Sequence, residues 1–362
     1  MKILYLLFSF TVGGTEKLIV DVCNEMVRNG NSVYLYIVND KYDKDLLSTI
    51  NPDVNIILKN RASGKGSKIN AIIELSKFIR DNKISVVHCN SFDSPELVIL
   101  KPIYFPKTKI IYTVHGMNQY NKLSKFRVLY RNIICNRIIA ISNSVKQELI
   151  SSGASKNKVE VVYNAINTEK YIDCRKKHKS SNQLVIGNVA RLDPATKGQD
   201  LLIRAAGLLH EKYPNISYRF AGGAPNNDII DQLYNLAEKV GISNNIEFLG
   251  NVEDIPSFLS TIDLFVLPSR SEGFGISLIE AMSAGIPCIA SDTGGPKEII
   301  GNNERGILFH NGNYEDLAKC ISEVIVNFDK YSKLAKCQQP YVSEHFDIKS
   351  MCMRLTKIYN CE

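Results

Sequence analysis

Residues 269–287 read Ser269-Arg270-Ser271-Glu272-Gly273-Phe274-Gly275-Ile276-Ser277-Leu278-Ile279-Glu280-Ala281-Met282-Ser283-Ala284-Gly285-Ile286-Pro287. The apolar run 264–267 before this stretch has the length of a buried strand, and apolar residues resume at 287–290. A strand, a glycine-bearing loop, a helix and a second strand in direct succession is the repeating unit of parallel α/β sheets. Gly273 and Gly275 let the backbone approach a ligand closely. The first N–H groups of the helix, at Ile276 and Ser277, lack intrahelical partners and form an anion site. Glu280 lies about one turn further in, among Leu278, Ile279, Ala281, Met282 and Ala284. A carboxylate in so apolar a helix is costly to bury unless it is hydrogen-bonded, and paired hydroxyl groups of a sugar would satisfy it. A plainer account puts Glu280 on an exposed helix edge and makes Glu272 a favourable anion near a helix N-terminus.

The same alternation extends in both directions. Apolar runs at 2–8, 32–38, 54–58, 84–89, 109–114, 137–141 and 159–162 are separated mostly by amphipathic stretches such as 16–29, 68–82 and 144–152. A second series follows at 184–190, 217–221, 245–248, 264–267, 287–290 and 306–309, with three further helical stretches at the end. Strands that are continuously apolar, rather than alternating, belong to a parallel sheet covered on both faces. Between the two series, residues 173–182 (DCRKKHKSSN) are polar, basic and aperiodic, the pattern of a linker. The expected fold class is therefore α/β, with two doubly wound Rossmann-like domains at residues 1–168 and 183–344. Ligands bind such sheets at the carboxyl ends of the strands, and two such domains facing one another would place the site in the cleft between them.

The 362 residues fit about two domains. With 44% hydrophobic and 22% charged residues, disordered and collagen-like architectures are excluded. The nine Cys include no C-x-x-C pair and read as reduced thiols of a cytoplasmic protein, and the six His lack zinc-ligand spacing. The opening MKILYLLFSF reads as a first strand, since no A-x-A-type cleavage site follows it, and no apolar window is long enough to cross a membrane.

The formal net charge of +7 is uneven: residues 1–165 carry 23 Lys+Arg against 13 Asp+Glu, and residues 166–362 carry 21 against 24. No acidic residue lies between Glu96 and Glu148, a span holding Lys101, Lys107, Lys109, Lys122, Lys125, Arg127, Arg131, Arg137 and Lys146. Such a surface attracts lipid headgroups, nucleic acid or phosphorylated substrates. Residues 121–137 read as a helix with bases among Leu123, Phe126, Val128, Leu129, Tyr130, Ile133 and Ile134. That mixture suits a helix resting on an anionic membrane or, more plainly, a solvated helix packed on its own domain.

A second chemistry-bearing segment, Asn188-Val189-Ala190-Arg191-Leu192-Asp193-Pro194-Ala195-Thr196-Lys197-Gly198-Gln199-Asp200, joins the first strand of the second series to a helix. Two cations six residues apart on a strand-end loop can clamp a diphosphate. Together these segments resemble the retaining, nucleotide-sugar-dependent glycosyltransferases of the GT-B fold, in the large bacterial group like glycosyltransferase family 4. Glu272 to Glu280 fits that group's Glu-x7-Glu motif, and Arg191 with Lys197 fits its phosphate-clamp pair. In the first half, Gly13-Gly14-Thr15-Glu16 looks like its Gly-Gly-x-Glu loop, and His115, directly after a strand, matches its cleft histidine, a candidate catalytic residue as a sugar or transition-state contact. Ser142-Asn143-Ser144 and Tyr163-Asn164-Ala165-Ile166 also follow its pattern, although Ala165 stands where Gly is frequent.

The resemblance implies roles for these residues. Glu280 holds ribose hydroxyls, Glu272 with Gly273, Phe274 and Gly275 holds the donor sugar, and Arg191 and Lys197 hold the diphosphate. The Gly13-Gly14 loop lies near the phosphates and acceptor, Asn164 is a donor-binding residue, and the backbone around Val252 lies near the base. The last helix, about 345–362, completes the first domain. The implied reaction is transfer of a sugar with retention of configuration, from a nucleotide-sugar donor (a UDP-sugar foremost) to a glycan or lipid-linked glycan. This fits capsule, exopolysaccharide or O-antigen assembly at the inner face of the cell membrane. The implied scheme needs no metal or other cofactor and no nucleic-acid partner. Asp43-Lys44-Asp45 formally matches a metal motif of another glycosyltransferase fold, but acidic residues are favoured at a helix start in any case. A nucleotide-sugar epimerase of the same fold and a basic nucleic-acid-binding protein remain as alternatives. A dehydrogenase would need G-x-G-x-x-G after the first strand, which Gly13-Gly14 does not supply.

Overall fold

The computed structural model describes residues 1–62, 68–172, 174 and 184–360. The linker expected at 173–182 thus lies outside the described residues, apart from Cys174. The chain divides into two compact units, one comprising Met1–Ala165 and Ile348–Glu362, the other Ile166–Asp347.

The first unit holds β1 (Lys2–Leu7), β2 (Ser32–Asn39), β3 (Asn55–Arg61), β4 (Val86–Cys89), β5 (Lys109–Val114), β6 (Arg137–Ala140) and β7 (Val159–Val161). They form one parallel sheet in the order β3-β2-β1-β4-β5-β6-β7. The opening apolar run is the centre of this sheet: Ile3, Leu4, Tyr5 and Leu6 are all fully buried. Burying such side chains contributes about 1.5–3 kcal/mol each, which is why strands covered on both faces need not alternate. The final helix, Ile348–Asn360, packs on Gly14–Arg28 within this unit.

The second unit holds β8 (Val185–Val189), β9 (Ser217–Ala221), β10 (Ile246–Phe248), β11 (Leu264–Leu267), β12 (Cys288–Ser291) and β13 (Ile307–Phe309), parallel in the order β10-β9-β8-β11-β12-β13. In each sheet the strand order reverses once beside the first strand, between β1 and β4 and between β8 and β11. The crevice for a ligand in such a sheet lies at the carboxyl ends of those strands. Asn188 bridges the second reversal, its amide donating to the Val266 carbonyl at 2.8 Å.

Two readings need correction. The expected helix 121–137 is shorter. A single 3₁₀ turn, Tyr120–Lys122, precedes Lys125–Ile134, which Ser124 caps, and Arg137 already belongs to β6. Nor do the two arginines of this helix contribute to an exposed basic surface. Arg131 is fully buried and bonds the Glu96 carboxylate, the Phe92 carbonyl and the Tyr112 hydroxyl. Arg127 pairs with Asp93 and Glu96. Asp43, in the formal metal motif, is a helix cap: its carboxylate accepts the Leu46 N–H at 2.8 Å. The eight described cysteines are free thiols, and among the described residues no helix is long and apolar enough to cross a membrane.

Candidate active site

Two loops at the carboxyl edge of the second sheet carry most of the chemistry. The first leaves β8, runs through Arg191 and turns over Pro194–Lys197 into the helix Gln199–His210. Buried Gln199 fastens this loop from inside, donating to the Arg191 carbonyl and accepting from the Asp193 N–H. Gly198 joins turn to helix at φ +67°, and a Cβ there would stand 2.0 Å from the Pro268 carbonyl oxygen. Only glycine lets the first loop lie so close to the second.

The second loop leaves β11 and enters the helix Ile276–Ser283 through Gly275, at φ +104°. Its first intrahelical hydrogen bond comes from Leu278 N–H, so the Ile276 and Ser277 N–H groups stand ahead of the ladder at the positive end of the helix dipole. Phe274 has its ring packed edge-on against Phe346 in the core, which leaves only its backbone for a ligand.

Arg270 staples the two loops together. Its guanidinium grips both carboxylate oxygens of Asp200, at 2.6 and 2.8 Å, and donates to the Pro194 carbonyl. Its backbone N–H and that of Ser271 both bond to the Thr196 carbonyl. As a result Lys197 meets Glu272, with Nζ 2.7 Å from Oε2 and Ser269 Oγ 3.3 Å from the same oxygen. Arg191 is not part of this cluster: it is 66% exposed and pairs with Asp193 at 3.1 Å. The two cations expected as a joint clamp therefore have different partners here.

Glu280 is buried, as its helix implies, but it has a protein partner: the Tyr171 hydroxyl donates to Oε1 at 2.8 Å. Val252 follows the β10 end, where the Gly250 carbonyl accepts the Gly222 N–H from the β9 end. The Leu192 N–H bonds to the Gly223 carbonyl, so this edge adjoins the Arg191 loop.

In the first unit, Gly13 caps the helix Gly14–Arg28 at the carboxyl end of β1. Glu16 folds back over Gly13, and burial raises its pKa. His115 follows β5 directly, half-buried, with Nε2 3.1 Å from Asn90 Oδ1. Burial lowers its pKa to about 4, so the ring is neutral near pH 7. Asn164 follows β7, buried, and its Oδ1 has no partner among the described residues. The sequence reading missed Asn90, Tyr171, Gln199 and the Asp200–Arg270 pair. Each is an ordinary polar residue until the fold supplies its partner.

Residues 12–170 match the family described as Glycosyltransferase Family 4, and residues 171–339 match Glycosyl transferases group 1. An uncharacterized 41.2 kDa protein in the cps region of Klebsiella pneumoniae is 29% identical, over 68% of this chain and 70% of that protein. The capsular polysaccharide biosynthesis glycosyltransferase CapM of Staphylococcus aureus is 28% identical, over 69% of this chain and 70% of its own length. A GDP-mannose-dependent α-(1-6)-phosphatidylinositol monomannoside mannosyltransferase of Mycobacterium tuberculosis is 24% identical, and the chain spans about half (49%) of it. Anabaena HepE, crystallised in complex with UDP, superposes with a TM-score of 0.83 over 99% of each chain at 23% identity, and so shares the fold. With two parallel doubly wound sheets, and the two family matches adjoining across residues 12–339, the chain belongs to the GT-B glycosyltransferases of family 4 type.

Proposed function

We propose that the protein transfers a sugar, with retention of configuration, from a UDP-sugar to a hydroxyl of a lipid-linked glycan during cell-surface polysaccharide assembly. The observation that carries this reading is the stapled pair of loops on the second sheet, where Lys197, Glu272 and the Ile276 and Ser277 N–H groups are gathered. In the proposed reaction the bond between the anomeric carbon and the diphosphate oxygen breaks as the acceptor oxygen bonds to that carbon. The acceptor proton passes to the departing phosphate on the same face. Negative charge grows on the diphosphate, and Lys197, Arg191 and the helix N–H groups oppose it. In this scheme those groups do the work of a metal ion, so turnover is expected to survive a chelator. Glu280 takes the ribose hydroxyls, which requires the Tyr171 hydroxyl to share or yield the carboxylate. A uridine donor is favoured by the UDP complex of the Anabaena protein, whereas the mycobacterial relative is named for GDP-mannose. The deciding experiment is a thermal-shift panel of nucleotide diphosphates and their sugars, since a ligand of the folded state raises its melting point. A rise with uridine compounds alone supports the donor assignment; a rise with guanosine compounds alone overturns it.

The acceptor side of the proposal rests on the helix Lys125–Ile134, whose inner face buries Val128, Arg131 and Ile134. Its arginines face inward, while Phe126, Leu129 and Ile133, spaced along one stripe, are 79%, 56% and 71% exposed. The Tyr130 hydroxyl bonds the Pro95 carbonyl, and Lys101 bonds Asn136, so exposed Ile99 and Ile103 belong to the neighbouring segment. Lys107, Lys122 and Lys125 are exposed in the same stretch, which lacks acidic residues from 97 to 147. An apolar stripe among lysines complements an anionic bilayer, and we assign it that partner, at the cytoplasmic face of the membrane. Flotation with phosphatidylglycerol vesicles, but not with phosphatidylcholine vesicles, is expected, and it is expected to be lost in Phe126→Ser/Ile133→Ser. Equal flotation of the variant would refute the assignment.

A further inference from the structure

A polar seam crosses the first sheet and ends at His115. The Tyr5 and Tyr359 hydroxyls lie 3.2 Å apart, and the Tyr359 hydroxyl is 2.6 Å from His88 Nδ1. His88 Nε2 is 2.6 Å from Thr113 Oγ1. His88 and Asn90 are two residues apart along one strand direction, as are Thr113 and His115 along the neighbouring one, so the two pairs share a face of the sheet. The register, with His88 opposite Ile111 and Cys89 opposite Tyr112, sets these strands side by side.

The orientation of Asn90 is fixed by chemistry. Its Nδ2 donates to the His88 backbone carbonyl at 2.9 Å, and a carbonyl can only accept. Asn90 therefore turns Oδ1 toward His115, and an acceptor opposite Nε2 requires the proton to sit on Nε2. The other ring nitrogen, Nδ1, is then a bare lone pair. It is buried and has no partner among the described residues.

We propose that Asn90 is a positioning residue that locks His115 as the neutral Nε2–H tautomer, so that Nδ1 accepts a hydrogen bond from a sugar hydroxyl of the bound substrate. This rests on the glycosyl-transfer reading above. His115 thereby acquires a defined role. Its ring orients a hydroxyl by accepting from it, and it does not serve as a cation opposing the leaving group. The hydroxyl belongs either to the donor sugar or to the acceptor, and the chemistry at Nδ1 is the same for both.

The test is ¹⁵N–¹H correlation spectroscopy of the histidine side chains in the full chain, with His115 assigned from the spectrum of His115→Gln. The expected result is a pyrrole-type Nε2 and a pyridine-type Nδ1. A protonated Nδ1 in the wild-type chain would overturn the proposal while leaving sugar transfer and nucleotide binding intact. In Asn90→Leu the tautomers are expected to mix and kcat/KM to fall by about tenfold to a hundredfold, with the UDP-induced melting shift kept. Asn90→Asp, which keeps an acceptor opposite Nε2–H, is expected to restore the wild-type tautomer. A wild-type spectrum and wild-type kcat/KM in Asn90→Leu would also overturn the proposal. A shift of the Nδ1 resonance with the nucleotide sugar beyond that with the nucleotide alone assigns the hydroxyl to the donor; a shift only on adding the glycan acceptor assigns it to the acceptor, and no shift with either overturns the proposal.

Discussion

Removing the Lys197 ammonium separates its two roles. In the structure it neutralises Glu272 at 2.7 Å, in a pair that is about one-fifth exposed on either side. Lys197→Ala leaves Glu272 with the Ser269 hydroxyl and some access to solvent. The stability cost is therefore that of a partly exposed ion pair plus an incompletely satisfied carboxylate, about 1–2 kcal/mol. For a unit of this size that lowers the melting temperature by about 2–4 °C per kcal/mol, and the protein remains folded at 25 °C. The catalytic cost is larger. In the proposed reaction the diphosphate gains a full negative charge as the glycosidic bond breaks, and a cation fixed by the Arg270 staple meets that charge without reorganising. Losing one such contact costs about 3–4 kcal/mol, or 10²–10³ in kcat. Donor binding weakens less, because the ground-state attraction of Lys197 for the diphosphate must compete with its existing attraction for Glu272. The assay is initial-rate transfer beside UDP binding by calorimetry, with Lys197→Arg as a charge-retaining control. Wild-type kcat in purified, folded Lys197→Ala, or a loss confined to KM, would refute this account of leaving-group stabilisation.

Three further outcomes follow from the same geometry. Arg270→Ala removes a bidentate pair and a backbone contact, so a stability loss of about 1–3 kcal/mol is expected, with weaker donor binding as the Pro194–Lys197 turn loosens; Arg270→Lys is not expected to rescue it, because an ammonium cannot reproduce the planar fork, and this is checked by calorimetric melting and UDP titration. Gly198→Ala places a methyl 2.0 Å from the Pro268 carbonyl in a left-handed backbone conformation, and a loss of about 2–5 kcal/mol is expected by urea unfolding, against near-neutrality for Leu208→Ala on the exposed face of the same helix. Acidification is expected to destabilise the chain. Burial lowers His88 to about 3, with nearby His115 adding to the shift, and burial lowers His115 to about 4. The unfolded chain therefore binds protons below pH 6.5 that the folded chain refuses. The sign is a loss of stability as pH falls from about 6.5 toward the folded values, about 2 kcal/mol per ring by pH 5. The raised pKa of Glu16 acts in the opposite sense, and urea midpoints at pH 7 and pH 5 in wild type and His88→Gln measure the net slope.

What could be read before folding was local in the chain. The strands 2–8 and 264–267 announce themselves because a strand buried on both faces must be apolar throughout, and β1 and β11 are so buried. The loop from Glu272 to Gly275 was legible because its geometry is written in adjacent residues: a positive φ at Gly275 needs glycine, and the helix follows at once. What escaped were pairings between distant positions. Lys197 and Glu272 are 75 residues apart, Tyr171 and Glu280 are 109, and His115 and Asn90 are 25. A polar residue's type states what it can bond, not what the sheet order will set beside it.

The Lys125–Ile134 helix shows why this matters for function. Helical periodicity identifies two faces but cannot tell which one packs, because Phe126, Leu129 and Ile133 would make an acceptable inner face. Val128 and Ile134 are buried on the inner face, and Arg131 beside them meets Glu96, some 35 residues earlier, with the Phe92 carbonyl and the Tyr112 ring. They give Arg131 a carboxylate, a carbonyl and an aromatic face. A buried arginine with those bonds is tolerable, whereas one without them is not. With Val128, Arg131 and Ile134 turned inward, helix geometry sets the Phe126, Leu129 and Ile133 stripe outward. Replacing Glu96 is therefore expected to weaken the proposed flotation with anionic vesicles more than replacing one exposed lysine does, since each lysine contributes only about 1 kcal/mol of headgroup attraction while Glu96 helps to hold the helix face opposite the apolar stripe.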